Sequence, residues 1–132
     1  MKKYTTSRTV AATPQQVWAL IATPSDFGWR SDVRDVVDDG FSYSEISKRT
    51  GYATDYTVTH DEPNRRRDTR LKHIDGTGTR SFVLTANSDT TTTVKIVEEF
   101  AYNGPWITQP LVDIFLRWQQ KTYVKDLEKA LS

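Results

Sequence analysis

The chain has 132 residues, no cysteine, and 18 lysine and arginine residues against 17 aspartate and glutamate residues, which gives a formal net charge of +1. This length suits a single domain over residues 1–132, and the lack of cysteine excludes disulfide frameworks, thiolate metal sites and cysteine nucleophiles. The near-neutral charge provides no global field that would favour nucleic acid or an anionic membrane.

The chain is also poor in apolar residues. They make up only 36% of it, below the roughly 45–50% of an ordinary domain, which suggests a small core or an interior that is partly polar or hollow. The first ten residues, MKKYTTSRTV, lack the apolar stretch of a secretory signal, and no later segment has the length of a membrane span. We therefore expect a cytoplasmic protein without membrane insertion.

The first quarter of the chain predicts a strand, a helix and a second short helix or turn. Residues 3–11 carry β-branched residues in loose alternation, which is typical of a strand. A helix begins after Thr13, a good N-cap that is followed by proline and by Gln16, which completes a capping box. Pro24 ends this helix, and residues 24–30 form the second short helix or turn.

From about residue 33 the apolar pattern changes to period two, interrupted by turn signals. Six further strands are predicted, over roughly 33–38, 41–48, 52–60, 65–74, 79–86 and 91–102. Because the connections are short, neighbouring strands should pair as antiparallel hairpins. A last helix then runs from residue 107 or 110 to 131, with a length of about 33 Å if it begins at Pro110. The fold class is therefore α+β.

Turn centres at 50/51, 63/64, 77/78 and near 89 predict the partners across the sheet. One row contains Glu45, Tyr56, Leu71, Leu84 and Val94. The next row contains Ser47, Thr54, His73, Phe82 and Ile96. These rows, with Phe100, place most apolar strand residues on one face, which we expect to point inward.

Six side chains on that inward face do not suit a dry core: Tyr43, Glu45, Tyr56, His73, Arg80 and Glu98. Burying an unpaired carboxylate or guanidinium costs several kcal/mol. These side chains therefore need water, one another or a ligand. A cavity would provide water and a ligand.

The last helix has two apolar stripes. One extends along its whole length: Val112, Leu116, Tyr123, Leu127 and Leu131. The other is confined to its first half: Leu111, Ile114, Phe115, Trp118 and Thr122. One stripe packs on the sheet, and the other needs a cover such as the short helices, a loop, a second subunit or a ligand. Because the helix follows the strand that ends near 102, an amphipathic mouth is expected beside Arg80 and Glu98.

Three segments carry a family resemblance: ATPQQVWALIATPSDFGW, HDEPNRR and TTTVKIVEEF. With the meander and the long last helix, they make nearly the whole chain resemble the polyketide cyclase/dehydrase-like branch of the START/birch-pollen-allergen superfamily (SRPBCC). The most specific positions are Thr13-Pro14, Val17-Trp18, Trp29, Pro63 and Thr93 with Phe100, none of them a catalytic signature. Glu98 departs from the pattern, because the alternation calls for an apolar residue there.

The resemblance implies a helix-grip fold. In this fold a seven-stranded curved antiparallel sheet, with two short helices after strand 1, wraps around a long C-terminal helix and leaves a cavity. It also implies binding of a small lipidic, polycyclic or aromatic compound; some members are enzymes, and many are carriers or receptors. The expected ligand contacts are Tyr43, Thr54, Arg80, Phe82, Ile96, Glu98, Phe100, Phe115 and Trp118. Nothing in the chain predicts a cofactor.

Three inward residues are candidates for acid–base catalysis. Glu45 and Tyr56, predicted to face each other, would accept and donate a proton at a carbonyl substrate; the alternative is a hydrogen bond that stabilises a wet interior. His73 would serve as a general base, or is hydrogen-bonded to Thr54 or Ser47.

The remaining charged groups predict an ion pair and surface charges, and they predict neither a nucleic-acid site nor a metal site. Arg80 and Glu98 are expected to form an ion pair, with binding of a ligand carboxylate by Arg80 as the alternative. The basic run at residues 65–67 is diluted by acidic neighbours and predicts a solvated hairpin end, not a nucleic-acid site. The acidic residues between 32 and 39 lack calcium-loop spacing, and two histidines without cysteine predict no metal site.

The leading hypothesis is therefore a binding domain for a small hydrophobic or aromatic, lipid-like molecule, acting as a monomer or weak homodimer. A cyclase, dehydratase or hydrolase that uses Glu45, Tyr56 and His73 is the first alternative. A protein-interaction domain like the chaperone-ATPase activators is the second, and it would combine a filled interior with an apolar patch at Ile114 and Trp118.

Overall fold

The computed structural model describes residues 1–132 and has the predicted α+β architecture. Its elements are β1 (Lys2–Val10), α1 (Pro14–Ile21), β2 (Val33–Asp38), β3 (Ser42–Ser47), β4 (Ala53–Glu62), β5 (Arg66–His73), β6 (Gly76–Ala86), β7 (Thr92–Tyr102), a 3₁₀ turn (Trp106–Thr108) and α2 (Gln109–Leu131). The seven strands form one antiparallel sheet in the order β1-β7-β6-β5-β4-β3-β2. The helix-grip fold is confirmed.

Local sequence signals explain where α1 begins. The Thr13 hydroxyl accepts a hydrogen bond from the Gln16 N–H, and the Thr13 N–H donates to the Gln16 side chain, so the predicted capping box is present. Of the predicted second short helix or turn, the helix is not formed and the turn is present. Residues 24–30 form isolated turns, in which single bonds from Asp26 to Thr23 and from Arg30 to Phe27 replace a helical series.

Two of the four predicted strand registers are confirmed. The β4–β5 pair places Tyr56 opposite Leu71. The β6–β7 pair places Arg80 opposite Glu98. In both hairpins the turn lies where the sequence signal puts it.

The other two registers are wrong, each by an even number of residues. Glu45 lies opposite Thr54 and not Tyr56, and Leu71 lies opposite Gly78 and not Leu84. The turn between β5 and β6 lies at residues 74 and 75. Gly78 is not part of this turn, because it lies where β6 and β7 approach each other closely and where a Cβ would collide with the carbonyl oxygen of Glu99. An even shift keeps each side chain on its face, so the predicted inward face is preserved.

The buried apolar residues form two clusters at opposite ends of the sheet–helix interface. The larger joins α1 and the second half of α2 to the sheet: Val10, Ala12, Val17, Ile21, Phe82, Leu84, Val94, Ile96, Tyr123, Val124 and Leu127. The smaller contains Tyr4, Tyr43, Tyr56, Leu71, Phe100 and Leu116. Neither α1 nor α2 combines the length and apolar character needed to cross a bilayer.

Candidate functional site

A cavity of about 320 Å³ lies between the first half of α2 and the inner face of the sheet. Its walls come from the sheet (Thr54, Tyr56, Leu71, His73, Arg80, Glu98 and Phe100) and from α2 (Leu111, Val112, Phe115, Leu116 and Gln119). The ends of β3 and β7 and the connecting segments contribute Ser47, Thr50, Tyr52, Asp75, Tyr102 and Thr108, and we call this end of the cavity the mouth. The volume is at the lower end of the range of roughly 300–1,000 Å³ typical of ligand pockets.

Two glycines on β6, Gly76 and Gly78, occupy inward positions next to the cavity wall. Gly78 lies between Leu71 on β5 and Phe100 on β7, and a Cβ at either glycine would collide with the β7 backbone. Glycine therefore allows β6 and β7 to approach each other closely here. The next inward residue of β6 is Arg80, which lines the cavity.

The inner end of the cavity contains a buried ion pair. The Arg80 Nε donates to Glu98 Oε1 over 2.7 Å, and Arg80 Nη2 donates to Gln119 Oε1 over 3.3 Å. The Arg80 guanidinium also lies 4.9 Å from the centre of the Tyr56 ring. Burial opposes the charge on Arg80, but its negatively charged partners outweigh burial and hold its pKa well above the ordinary value.

Several polar atoms at this inner end have no hydrogen-bond partner within the protein. They are the Tyr56 hydroxyl, Arg80 Nη1, Glu98 Oε2 and the Gln119 amide nitrogen. No side-chain nitrogen or oxygen that is sealed from solvent lacks a partner, so all four atoms are accessible to a solvent-sized molecule, and all four residues line the cavity. Burial raises the pKa of Tyr56 well above its ordinary value, and its phenol is therefore a neutral donor.

Glu45 is part of a different polar cluster, and its predicted pairing with Tyr56 is wrong. Arg30 Nη1 donates to Glu45 Oε2 over 3.1 Å, and Arg30 Nε donates to Asp32 Oδ1 over 3.2 Å. All three residues are buried, and the Arg30 guanidinium lies 4.4 Å from the centre of the Tyr123 ring. The two-residue register shift and this partner from the loop remove Glu45 from the cavity wall.

His73 lies at the mouth, near the end of β5. Its Nδ1 accepts a hydrogen bond from the Asp75 N–H over 3.0 Å, and its ring meets Tyr52 edge-on at 6.1 Å. The predicted bond to Thr54 or Ser47 is not formed, because the two-residue turn brings the Asp75 backbone to the ring. His73 and Tyr56 thus border one cavity at different depths.

Four of the expected ligand contacts do not line the cavity. Tyr43 lies outside it and stacks on Tyr56 with ring centres 4.9 Å apart. Phe82 and Ile96 belong to the larger apolar cluster, because the register shift moves Phe82 away from His73. Trp118 is 39% exposed on α2 and is not part of the lining. The other five, Thr54, Arg80, Glu98, Phe100 and Phe115, line it.

Several apolar side chains of the 3₁₀ turn and of the first half of α2 are exposed. Trp106 and Ile107 in the 3₁₀ turn are exposed, as are Leu111 and Ile114 on α2. The second apolar stripe of α2 is thus largely uncovered, and only Phe115 and Leu111 reach the cavity lining. The Arg49 guanidinium lies 5.0 Å from the centre of the Trp118 ring.

The sequence misses two residues that shape these polar clusters. Gln119 follows Phe115 by four positions on α2, a spacing that places both on one helix face; this signal could have identified it. Arg30 had no such signal, because its partners are brought together only by the loop that precedes β2. The burial of Asp32 beside Arg30 had no such signal either.

The basic run at residues 65–67 is only partly a solvated hairpin end. Arg65 and Arg66 are exposed, but Arg67 is buried on the inner face. Arg67 Nε donates to Asp61 Oδ1 over 3.0 Å, and its guanidinium lies 5.6 Å from the centre of the Trp18 ring. No group of three or more His, Asp or Glu side chains is arranged to hold a metal ion.

Known proteins resemble the chain in sequence pattern and in fold. A family model described as "Polyketide cyclase / dehydrase and lipid transport" matches residues 1–131. No protein with a curated description matches. A START superfamily protein from Mycobacterium smegmatis is 12% identical, with a TM-score of 0.83 over 98% of this chain and 96% of its own.

Two further solved structures share this fold. XoxI from Bacillus cereus is 16% identical, with a TM-score of 0.82 over 99% of this chain and 96% of its own. DynU16, encoded in the dynemicin biosynthetic locus, is 18% identical, with a TM-score of 0.76 over 99% of this chain but only 47% of its own. At these identities the similarity establishes the fold alone.

Proposed function

The chain belongs to the polyketide cyclase/dehydrase and lipid transport family, and from this premise we propose that it binds a small, largely apolar or aromatic molecule between the sheet and α2. The observation that supports this function is the cavity of about 320 Å³, which has apolar walls and hydrogen-bonding atoms at its inner end. Apolar walls with a few oriented polar groups are typical of small-molecule sites.

The enzymatic alternative has weaker support. Tyr56 and His73 border the cavity, but Glu45 is held by Arg30 outside it. A proton acceptor must reach the reacting atom within hydrogen-bond distance. The catalytic roles of Glu45, Tyr56 and His73 therefore stay predictions, and turnover is not required by the proposed function.

The protein-interaction alternative requires a filled interior together with an apolar patch. The patch is present, since Ile114 and Trp118 are exposed, but the interior is not filled. A chain that used only its outer surface would gain stability by filling this space, because empty volume costs packing contacts. The cavity therefore favours ligand binding over this alternative.

A cavity-filling substitution tests the proposed function. Val112 lines the cavity, and Val112→Phe places a larger side chain in the space that the ligand would occupy. Native mass spectrometry of the purified protein is expected to detect a non-covalent small-molecule adduct that Val112→Phe loses. Added 2-naphthol, an aromatic probe, is expected to bind the variant at least about tenfold more weakly than the unaltered protein.

The matched control is Val83→Phe, the same change on the outer face of β6, which should leave binding unaltered. Equal binding by the Val112→Phe and unaltered proteins would place the ligand elsewhere. The proposal fails if the protein carries no adduct and binds neither naphthalene nor 2-naphthol.

We also propose that the protein is cytoplasmic and that it is a monomer or a weak homodimer. Cell fractionation would test its location, and sedimentation velocity would test its oligomeric state.

A further inference from the structure

Polar atoms at the inner end of the cavity have no hydrogen-bond partner within the protein. The Tyr56 hydroxyl and Arg80 Nη1 have none within the protein, although their residues are only 1% and 5% exposed. The Gln119 amide nitrogen and Glu98 Oε2 lie beside them without partners. The four groups come from β4, β6, α2 and β7 and are therefore fixed relative to one another by the fold.

The net charge of the polar groups at the inner end of the cavity is zero. Arg80 and Glu98 form one ion pair with an Nε–Oε1 distance of 2.7 Å. A carboxylate that approached Arg80 would also face Glu98, and an ammonium that approached Glu98 would face Arg80. Arg80 and Glu98 are only 5% and 2% exposed, and beside such buried groups the desolvation of a third, uncompensated charge is costly.

The donors outnumber the acceptors. Tyr56, Arg80 and Gln119 each offer N–H or O–H groups, whereas Glu98 offers one free oxygen. An uncharged oxygen, such as that of a phenol, an alcohol or a carbonyl, would accept bonds from the donors without leaving a charge unpaired. A hydroxyl could also donate to Glu98.

The volume limits the rest of the ligand. An apolar cavity of about 150 Å³ accommodates benzene, and the present cavity of about 320 Å³ is roughly twice as large. Leu71, Phe100, Val112 and Phe115 supply its apolar walls. A molecule with about two fused rings fits this space, whereas a lipid with two acyl chains is too large.

We propose that the cavity selects an uncharged, compact aromatic or aliphatic molecule that places a single oxygen against Tyr56, Arg80 and Gln119, and that it rejects carboxylate and ammonium analogues of the same size. This inference rests on the proposed function and names its ligand class.

Four probes of one ring system test this selectivity by isothermal titration calorimetry at pH 7. They are 2-naphthol, naphthalene, 2-naphthoate and 2-naphthylmethylammonium. The unaltered protein is expected to bind 2-naphthol most tightly, naphthalene more weakly, and both charged probes at least about tenfold more weakly than 2-naphthol. Tyr56→Phe is expected to reduce the preference for 2-naphthol over naphthalene.

Glu98→Gln supplies the sharper test. It removes the negative charge but keeps an oxygen that can accept from Arg80, so the site becomes positive. Affinity for 2-naphthoate is expected to rise at least about tenfold, with no gain for 2-naphthylmethylammonium. Glu128→Gln, a change of the same kind at an exposed ion pair on α2, should leave the order of the probes unchanged.

The outcomes separate the two proposals. If 2-naphthoate binds the unaltered protein as tightly as 2-naphthol, the neutral-ligand inference is wrong while ligand binding stands. If no probe binds, the neutral-ligand inference is wrong, and the proposed function fails as well when the purified protein also carries no adduct. The measurement on the unaltered protein decides this even if Glu98→Gln does not fold.

Discussion

Two groups of buried charges in this protein each contain their own counter-charge. Arg80 is paired with Glu98, and Arg30 is paired with Asp32 and Glu45. Breaking a buried pair leaves a desolvated charge without compensation, which costs far more than losing an exposed pair. The two groups differ in their setting, since only the Arg80 group borders the ligand cavity.

The Arg30 group is predicted to hold the loop before β2 against the sheet. Arg30→Met would leave two carboxylates buried without their cation, and we expect the free energy of unfolding to fall by about 3–5 kcal/mol. Urea denaturation measures this loss. Arg8→Met is the control, because Arg8 and Glu128 form an exposed ion pair, and the loss of stability should be much smaller than that of Arg30→Met. Equal losses in the two variants would contradict a structural role for Arg30.

At the scale of the elements, β1 is joined to α2 by one carboxylate. Asp113 on α2 accepts from Lys2 Nζ over 2.8 Å and from the Tyr4 hydroxyl over 2.6 Å, both on β1. These hydrogen bonds, that of Lys2 first, lower the pKa of Asp113 from 3.8 to about 2. The carboxylate is therefore bound more favourably in the folded chain than in the unfolded chain.

The depressed pKa predicts an acid-dependent loss of stability. The contribution of Asp113 is complete above its ordinary pKa near 4 and disappears as the pH falls through about 2. The melting temperature of Asp113→Asn should therefore lie below that of the unaltered protein at pH 6, and the two should converge near pH 2. Asp39→Asn, at an exposed carboxylate outside every ion pair, is the control and should show no such convergence. A difference that is independent of pH would contradict the prediction.

At the scale of the whole molecule, one part of the sheet–helix interface is a filled core and the other part is a cavity. The second half of α2 packs on the larger apolar cluster through Tyr123, Val124 and Leu127, whereas the first half lies over the cavity. β7 is paired on both sides, and β2 is an edge strand paired only with β3. Local opening should therefore require less free energy in β2 than in β7.

Hydrogen exchange is expected to reveal this division. Backbone amides of β7 should exchange slowest and those of β2 fastest among the strands. Addition of 2-naphthol should slow exchange in β4 and β5, whose inward residues line the cavity, and leave β1 unchanged. Equal protection of β2 and β7, or slowing confined to β1, would contradict this view of the molecule.

The sequence alone determined the order of the seven strands and the two α-helices, the capping box of α1 and the inward face of the sheet. Side chains alternate with a period of two, so the register shifts of two residues at β3–β4 and six at β5–β6 left Tyr56, Leu71 and Arg80 on the predicted face. The confirmed β6–β7 register also placed Glu98 opposite Arg80.

Only the tertiary structure decided which inward residues meet. Glycine at position 78 is equally compatible with a turn and with a close approach between strands, and the local pattern does not distinguish them. Arg30 reaches Glu45 through a loop whose path no periodic signal determines. The composition of the cavity wall therefore followed from turn positions and long-range contacts, whereas the inward face followed from the geometry of a single strand.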